Sequence, residues 1–104
     1  MWRKPRSLDD MNDKYDRNGK PLSLMEWATL LENQEYKRVA LDKLENGVEV
    51  STVWLGLDHS FGEGKPLIFE TMVFNPDDVQ CDRYSTEEQA LAGHKAAVEK
   101  WKVV

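Results

Sequence analysis

Glu45-Asn46-Gly47 stands between two runs of β-type sequence, YKRVALDKL at 36–44 and VEVSTVWLGL at 48–57. Asn-Gly tolerates the positive φ angles of a type I′ turn, so this pair predicts a tight antiparallel hairpin. With Asn46-Gly47 as a two-residue loop, Glu45 faces Val48, Leu41 faces Thr52, and Val39 faces Trp54. Val39, Leu41, Val50 and Trp54 then share one face, and Tyr36, Ala40, Val53, Leu55 and Leu57 share the other. Both faces carry apolar groups. Such a hairpin belongs in a sheet with cover on two sides.

The other elements follow from local pattern. LIFETMVF at 67–74 reads as a strand of β-branched, aromatic and long apolar residues, closed by NPDD. VQCDRY at 79–84 suits a short fourth strand at an edge. SLME at 23–26 is a capping box that opens a helix of roughly ten residues, from near Leu24 to near Asn33, with Leu24, Trp27, Leu30 and Leu31 at helical spacing. STEE at 85–88 repeats the box, with Ser85 as N-cap and Glu88 as its partner. The helix it opens runs to about Lys102 and carries the stripe Ala90, Leu91, His94, Ala97, Val98 and Trp101. Asn18-Gly19 and Pro21 form a turn cluster at the tip of a small ribbon or loop. The order predicts an α+β domain: an antiparallel sheet of three to four strands, a short N-terminal helix, and a C-terminal helix packed on the sheet. Residues 15–104 form the single domain, and residues 1–14, charged and aperiodic, a flexible or irregular arm.

Composition narrows the function classes. A chain of 104 residues holds one domain with a core that needs no staples. One cysteine, Cys81, excludes an internal disulfide and a multi-cysteine zinc site. The net charge of −5 and dispersed basic residues oppose binding to duplex nucleic acid. No apolar stretch approaches a membrane span, and the basic N-terminus lacks the apolar region of a secretory signal.

The polar residues that fit the apolar pattern least gather around one loop. DHSFGEGKP at 58–66 is long for a hairpin connection, and long loops between good strands are frequent carriers of function. It is neither a phosphate-binding P-loop nor a dinucleotide fingerprint. Lys65 and the amides of Gly62 and Gly64 suit an anion pocket, and Trp54 and Phe61 offer stacking surface. Glu70 interrupts the next strand; a desolvated carboxylate must be paired, hydrogen-bonded or protonated, and Arg38 or Arg83 are the candidate partners. Asp58 reads either as a loop cap or as a site carboxylate. His59 and His94 are the only two histidines. His94 reads as a core histidine satisfied by a carbonyl or hydroxyl, or as part of a metal or acid–base site with His59 and Glu70 or Asp58. No H-x-H or H-E-x-x-H spacing supports the metal reading.

The segments LGLDH at 55–59, FETMVF at 69–74 and ALAGH at 90–94 resemble a family of small uncharacterised proteins encoded by bacteriophages and prophages. The similarity runs from about Tyr15 to Val98 and includes NGKPLSLMEWATLLEN. It implies a phage-borne accessory protein working in a bacterial cytoplasm, of the kind that counters host defences by binding an effector or a signal nucleotide. Two function classes result. One is a non-enzymatic binding protein without a cofactor, taking a host protein or a small anionic, nucleotide-like ligand at Asp58, His59, Phe61, Lys65 and Glu70. The other is a small metal- or acid/base-dependent enzyme using His59, Glu70 and His94. The two-sided sheet also predicts a homo-oligomer, because three strands and two helices leave the second face thinly covered.

Overall fold

The capping box at Ser23 and the Asn-Gly turn each nucleate the element expected of them, in a computed structural model that describes residues 13–58 and 64–102. Ser23 accepts from the Glu26 amide while the Glu26 carboxylate accepts from the Ser23 amide, and α1 (Leu24–Leu31) begins there. A single turn, α2 (Gln34–Lys37), is capped by Asn33 and leads straight into the sheet. The sheet is a four-stranded antiparallel meander in the order β1 (Arg38–Lys43), β2 (Glu49–Trp54), β3 (Phe69–Asn75), β4 (Asp78–Tyr84). The long helix α3 (Glu87–Trp101) crosses one face of it. This is the α+β arrangement expected from the sequence, with the fourth strand fully formed.

Burial alternates along the two central strands. Val50, Thr52 and Trp54 on β2, with Phe69, Thr71 and Val73 on β3, are buried under α3; the residues between them are not. Trp54, Ile68, Phe69 and Ala90 form one core cluster, which Trp27, Tyr36 and Val39 join; Val48, Val50 and Val73 form a second, closed by Ala97, Val98 and Trp101. Tyr36 meets Trp54 edge-on, with ring centroids 5.0 Å apart.

Three local expectations shift by one or two residues. The first hairpin closes through a three-residue loop: the Leu44 amide donates to the Val48 carbonyl, the Gly47 amide donates to the Leu44 carbonyl, and Gly47 takes φ 88°. A turn followed by a left-handed glycine competes with the two-residue loop, and here Asn46 favours it by accepting from the Val48 amide. Leu41 therefore pairs with Ser51, not Thr52, and lies on the face away from Val50 and Trp54. Val39 regains the Trp54 side through a β-bulge between Arg38 and Ala40. The N-cap of α3 is Thr86 and its partner Gln89, whose carboxamide oxygen accepts from both the Ser85 and Thr86 amides. Finally α1 stops at Leu31, and Asn33 serves as the cap of α2 instead of the end of α1.

A small ribbon precedes α1. Residues 14–16 and 20–22 run antiparallel around Asn18-Gly19, and the Tyr15 amide donates to the Gly56 carbonyl. Lys14 bridges to Leu57, and the Asp58 amide donates to the Asp13 carbonyl, so residues 13 and 14, read as the end of the arm, are tied to the sheet. Arg17 locks the ribbon in place: its Nε meets Glu87 at 2.7 Å and its guanidinium donates to the Tyr36 carbonyl. Gly56, at φ 72°, lies where ribbon and sheet meet, a position that demands a glycine. A Cβ there collides with the rings of Trp54 and Trp27. The rest of the expected arm, residues 1–12, lies outside the described residues.

Candidate functional site

His94 sits on the sheet-facing stripe of α3, and both of its ring nitrogens are used. Nε2 lies 2.7 Å from Asp42 Oδ2 on β1, and Nδ1 lies 2.7 Å from Thr52 Oγ1 on β2. The Thr52 hydroxyl in turn meets that of Thr71 on β3. With Nε2–H donating to the carboxylate, Nδ1 accepts from Thr52, and the polar row Asp42–His94–Thr52–Thr71 is satisfied end to end. The order of groups resembles an acid–imidazole–hydroxyl relay. Chemically it is closed: Thr52 and Thr71 are essentially inaccessible, at 0% and 1% exposure, and only Asp42 reaches solvent. Such a row stitches a helix to three strands and gives a substrate no hydroxyl to approach.

Glu70 belongs to the opposite face. Alternation along β3 places Thr71 under α3 and Glu70 and Met72 away from it, so Glu70 and His94 do not come together. Glu70 Oε2 accepts from Arg83 Nε at 3.0 Å, its direct cross-strand neighbour on β4, and from the Cys81 thiol at 3.0 Å. Arg83 is thus the partner among the two the sequence offered. Desolvation, followed by the hydrogen bond to Glu70 and the charge of that carboxylate, pushes the Cys81 thiol up to about 11. Cys81 is thereby kept as a thiol at neutral pH and is a poor nucleophile.

Asp58 closes the base of the long loop, where its Oδ1 accepts from the Leu67 amide at 3.0 Å. Lys65 is exposed and borders a small hollow of about 120 Å³ with Pro66, Ser85 and Thr86. The Ser85 and Thr86 amides at that hollow are already taken by Gln89. His59 and Phe61 lie outside the described residues. Among the described residues, no group of three or more His, Cys, Asp or Glu side chains is placed to hold a metal ion.

A further surface is the sheet face that α3 leaves open. Leu41, Ser51, Val53, Met72 and Phe74 share it, with the Glu70–Arg83 pair among them. α1 does not cover it: that helix packs on α2 and gathers with it at the Trp54 end of the sheet, where the Trp27 indole donates to the Leu55 carbonyl. A groove of about 360 Å³ results, floored by Leu41, Ser51, Val53 and Leu55 and walled by Lys37 and Arg38. Val79 and Phe74 extend the face toward β4 at 50% and 40% exposure. Sequence pattern alone located the apolar residues of this surface but not their grouping, because the one-residue change of register decides which side Leu41 joins.

Comparison with protein-family models, with curated proteins and with solved structures returns no match for this chain. Among the described residues, no helix is long and apolar enough to cross a membrane.

Proposed function

We infer that this protein is a non-enzymatic binding protein that docks a protein partner on the open face of its sheet. The observation that carries this reading is the open apolar face itself: on the side away from α3, Phe74 is exposed and Val53 and Met72 are only partly buried, with Leu31, Gln34 and Lys37 reaching no farther than the groove. Contiguous apolar surface of this kind, rimmed by charged groups, marks interaction sites in soluble domains. Lys37 and Arg38 at one end of the groove suit an acidic group on the partner. The closed Asp42–His94–Thr52–Thr71 row favours binding over catalysis, since its hydroxyls are buried and already bonded. The phage resemblance supplies the context, an accessory protein whose partner is a bacterial host protein. A small anionic ligand is the competing occupant.

Thermal-shift screening against nucleotides, cyclic nucleotides and metal ions separates the two occupants, because a ligand that binds only the native state raises Tm. The expected result is no shift, together with retention of a bacterial protein that Val53→Asp and Met72→Asp release and Lys65→Ala does not. A nucleotide-induced rise in Tm that Lys37→Ala and Arg38→Ala abolish would instead assign the groove to a small anion. Retention unaffected by either aspartate variant would remove the open face from the reading.

A further inference from the structure

We propose that two copies of this chain pair along β4, antiparallel and centred on Cys81, to make one continuous eight-stranded sheet. This uses the edge of the sheet and leaves the open face free, so it stands or falls separately from the reading above.

The two edges of the meander differ. β1 is broken by the bulge at Val39, a feature that blunts edges against further pairing. β4 runs for seven residues without bulge, proline or glycine, pairs with β3 along its whole length, and is exposed from Asp78 to Arg83. The direction of its backbone groups follows from the ladder. The Tyr84 carbonyl accepts from the Ile68 amide, so it points inward, and alternation turns Asp82 and Gln80 inward as well. Val79, Cys81 and Arg83 therefore direct their amides and carbonyls outward. The Val79 amide is held locally by the Asp78 carboxylate. The Cys81 and Arg83 amides, directed away from β3, face the open edge.

Charge selects both the occupant and the register. When β4 meets β4 with Cys81 opposite Cys81 of the second copy, all seven residues pair. Asp78 then faces Tyr84, Val79 faces Arg83, and Gln80 faces Asp82, each taken from opposite copies. No like charges meet. Moving the centre to Gln80 sets Asp78 against Asp82 twice, and moving it to Asp82 sets that carboxylate against itself; like charges directly opposite disfavour pairing. In the Cys81-centred register the outward residues Val79, Cys81 and Arg83 meet one another: the two Cys81 residues exchange two hydrogen bonds, and each Arg83 amide donates to the Val79 carbonyl of the other copy, while the Val79 amide stays with Asp78. The two-fold axis is normal to the sheet, so both α3 helices fall on one side and both open faces on the other. A strand-edge contact is small, and the dimer belongs with weak, concentration-dependent associations.

Sedimentation equilibrium from low to high micromolar concentration tests the proposal, using the full chain and exchanges at Gln80, which is exposed and leaves the fold intact. Gln80→Asp adds two like-charge pairs across the two-fold and weakens the dimer about fivefold; Gln80→Lys replaces them with two opposite-charge pairs and tightens it by about as much. The same exchanges at Asn18, exposed in the ribbon, alter net charge equally and leave the affinity unchanged. A short bis-maleimide, to which both thiols add without an oxidant, joins Cys81 to Cys81 in the native chain at mildly alkaline pH, and less so in Gln80→Asp. A chain that stays monomeric at every concentration, including as Gln80→Lys, overturns the proposal. So does a dimer indifferent to both Gln80 exchanges but lost in Met72→Asp, which would place the second copy on the open face.

Discussion

Thr52 and Thr71 are threonines where the strand pattern calls for valine, and their hydroxyls explain why. Thr52 bridges His94 and Thr71 with no exposure to water, so its hydroxyl cannot be exchanged for solvent. Thr52→Val keeps the shape and strands two polar atoms, and the cost of leaving buried groups unpaired is about 1–3 kcal/mol. Thr71→Val costs less, because Thr52 still has His94 as its partner. Introducing Thr71→Val into the Thr52→Val chain then adds little or restores stability, since it removes an orphaned hydroxyl. Urea unfolding of the three variants measures this coupling. Additive losses, or a neutral Thr52→Val, would show that the row carries no stability. His94 was visible in the sequence as a polar residue on an apolar helical stripe. Its partners were not, because Asp42 and Thr52 reach it only through a strand register that no local signal sets.

At the level of elements, signals encoded within a few residues survived folding and those that depend on register did not. The capping boxes, the Asn-Gly turn and the β-branched runs each act on their own backbone, so helix and strand positions were legible from Ser23, Gly47 and the run 69–74. The errors are single-residue choices between two adequate local solutions. Ser85 and Thr86 both have a side-chain oxygen and both have a glutamate or glutamine three residues on; Gln89 settles the choice by accepting from two amides at once. The consequence is measurable. Thr86→Ala removes the acceptor for the Gln89 amide and destabilises the protein by about 1 kcal/mol, while Ser85→Ala changes stability by no more than a few tenths. Equal losses for the two, in paired thermal or urea melts, would return the cap to Ser85.

The whole molecule is a sheet with one face closed and one open, and that asymmetry governs how it responds to change. α3 lies over Val50, Thr52, Phe69 and Val73, and the helix contributes Ala90, His94, Ala97 and Trp101 to the contact. The sequence predicted two apolar faces but placed Leu41 on the wrong one, and could not show that α1 would turn away from the sheet to sit on α2. Tertiary placement of a short helix depends on the loop that carries it and on Trp27 finding the Leu55 carbonyl, not on its own periodicity. Two substitutions on neighbouring strands separate the faces. Val50→Ala removes buried methyl groups beneath α3, and transfer and cavity terms together cost about 2 kcal/mol or more. Phe74→Ser, on the open side and 40% exposed, shifts stability by only about 0.5 kcal/mol although it removes a much larger apolar group. The comparison is made at dilute protein, where partner binding and self-association contribute nothing. A Phe74→Ser loss as large as that of Val50→Ala would mean that the face is covered within the isolated chain, and the docking surface would have to be sought elsewhere. A small loss that grows with protein concentration would mean that Phe74 lies in a contact between copies, shifting the self-association from the β4 edge to the open face.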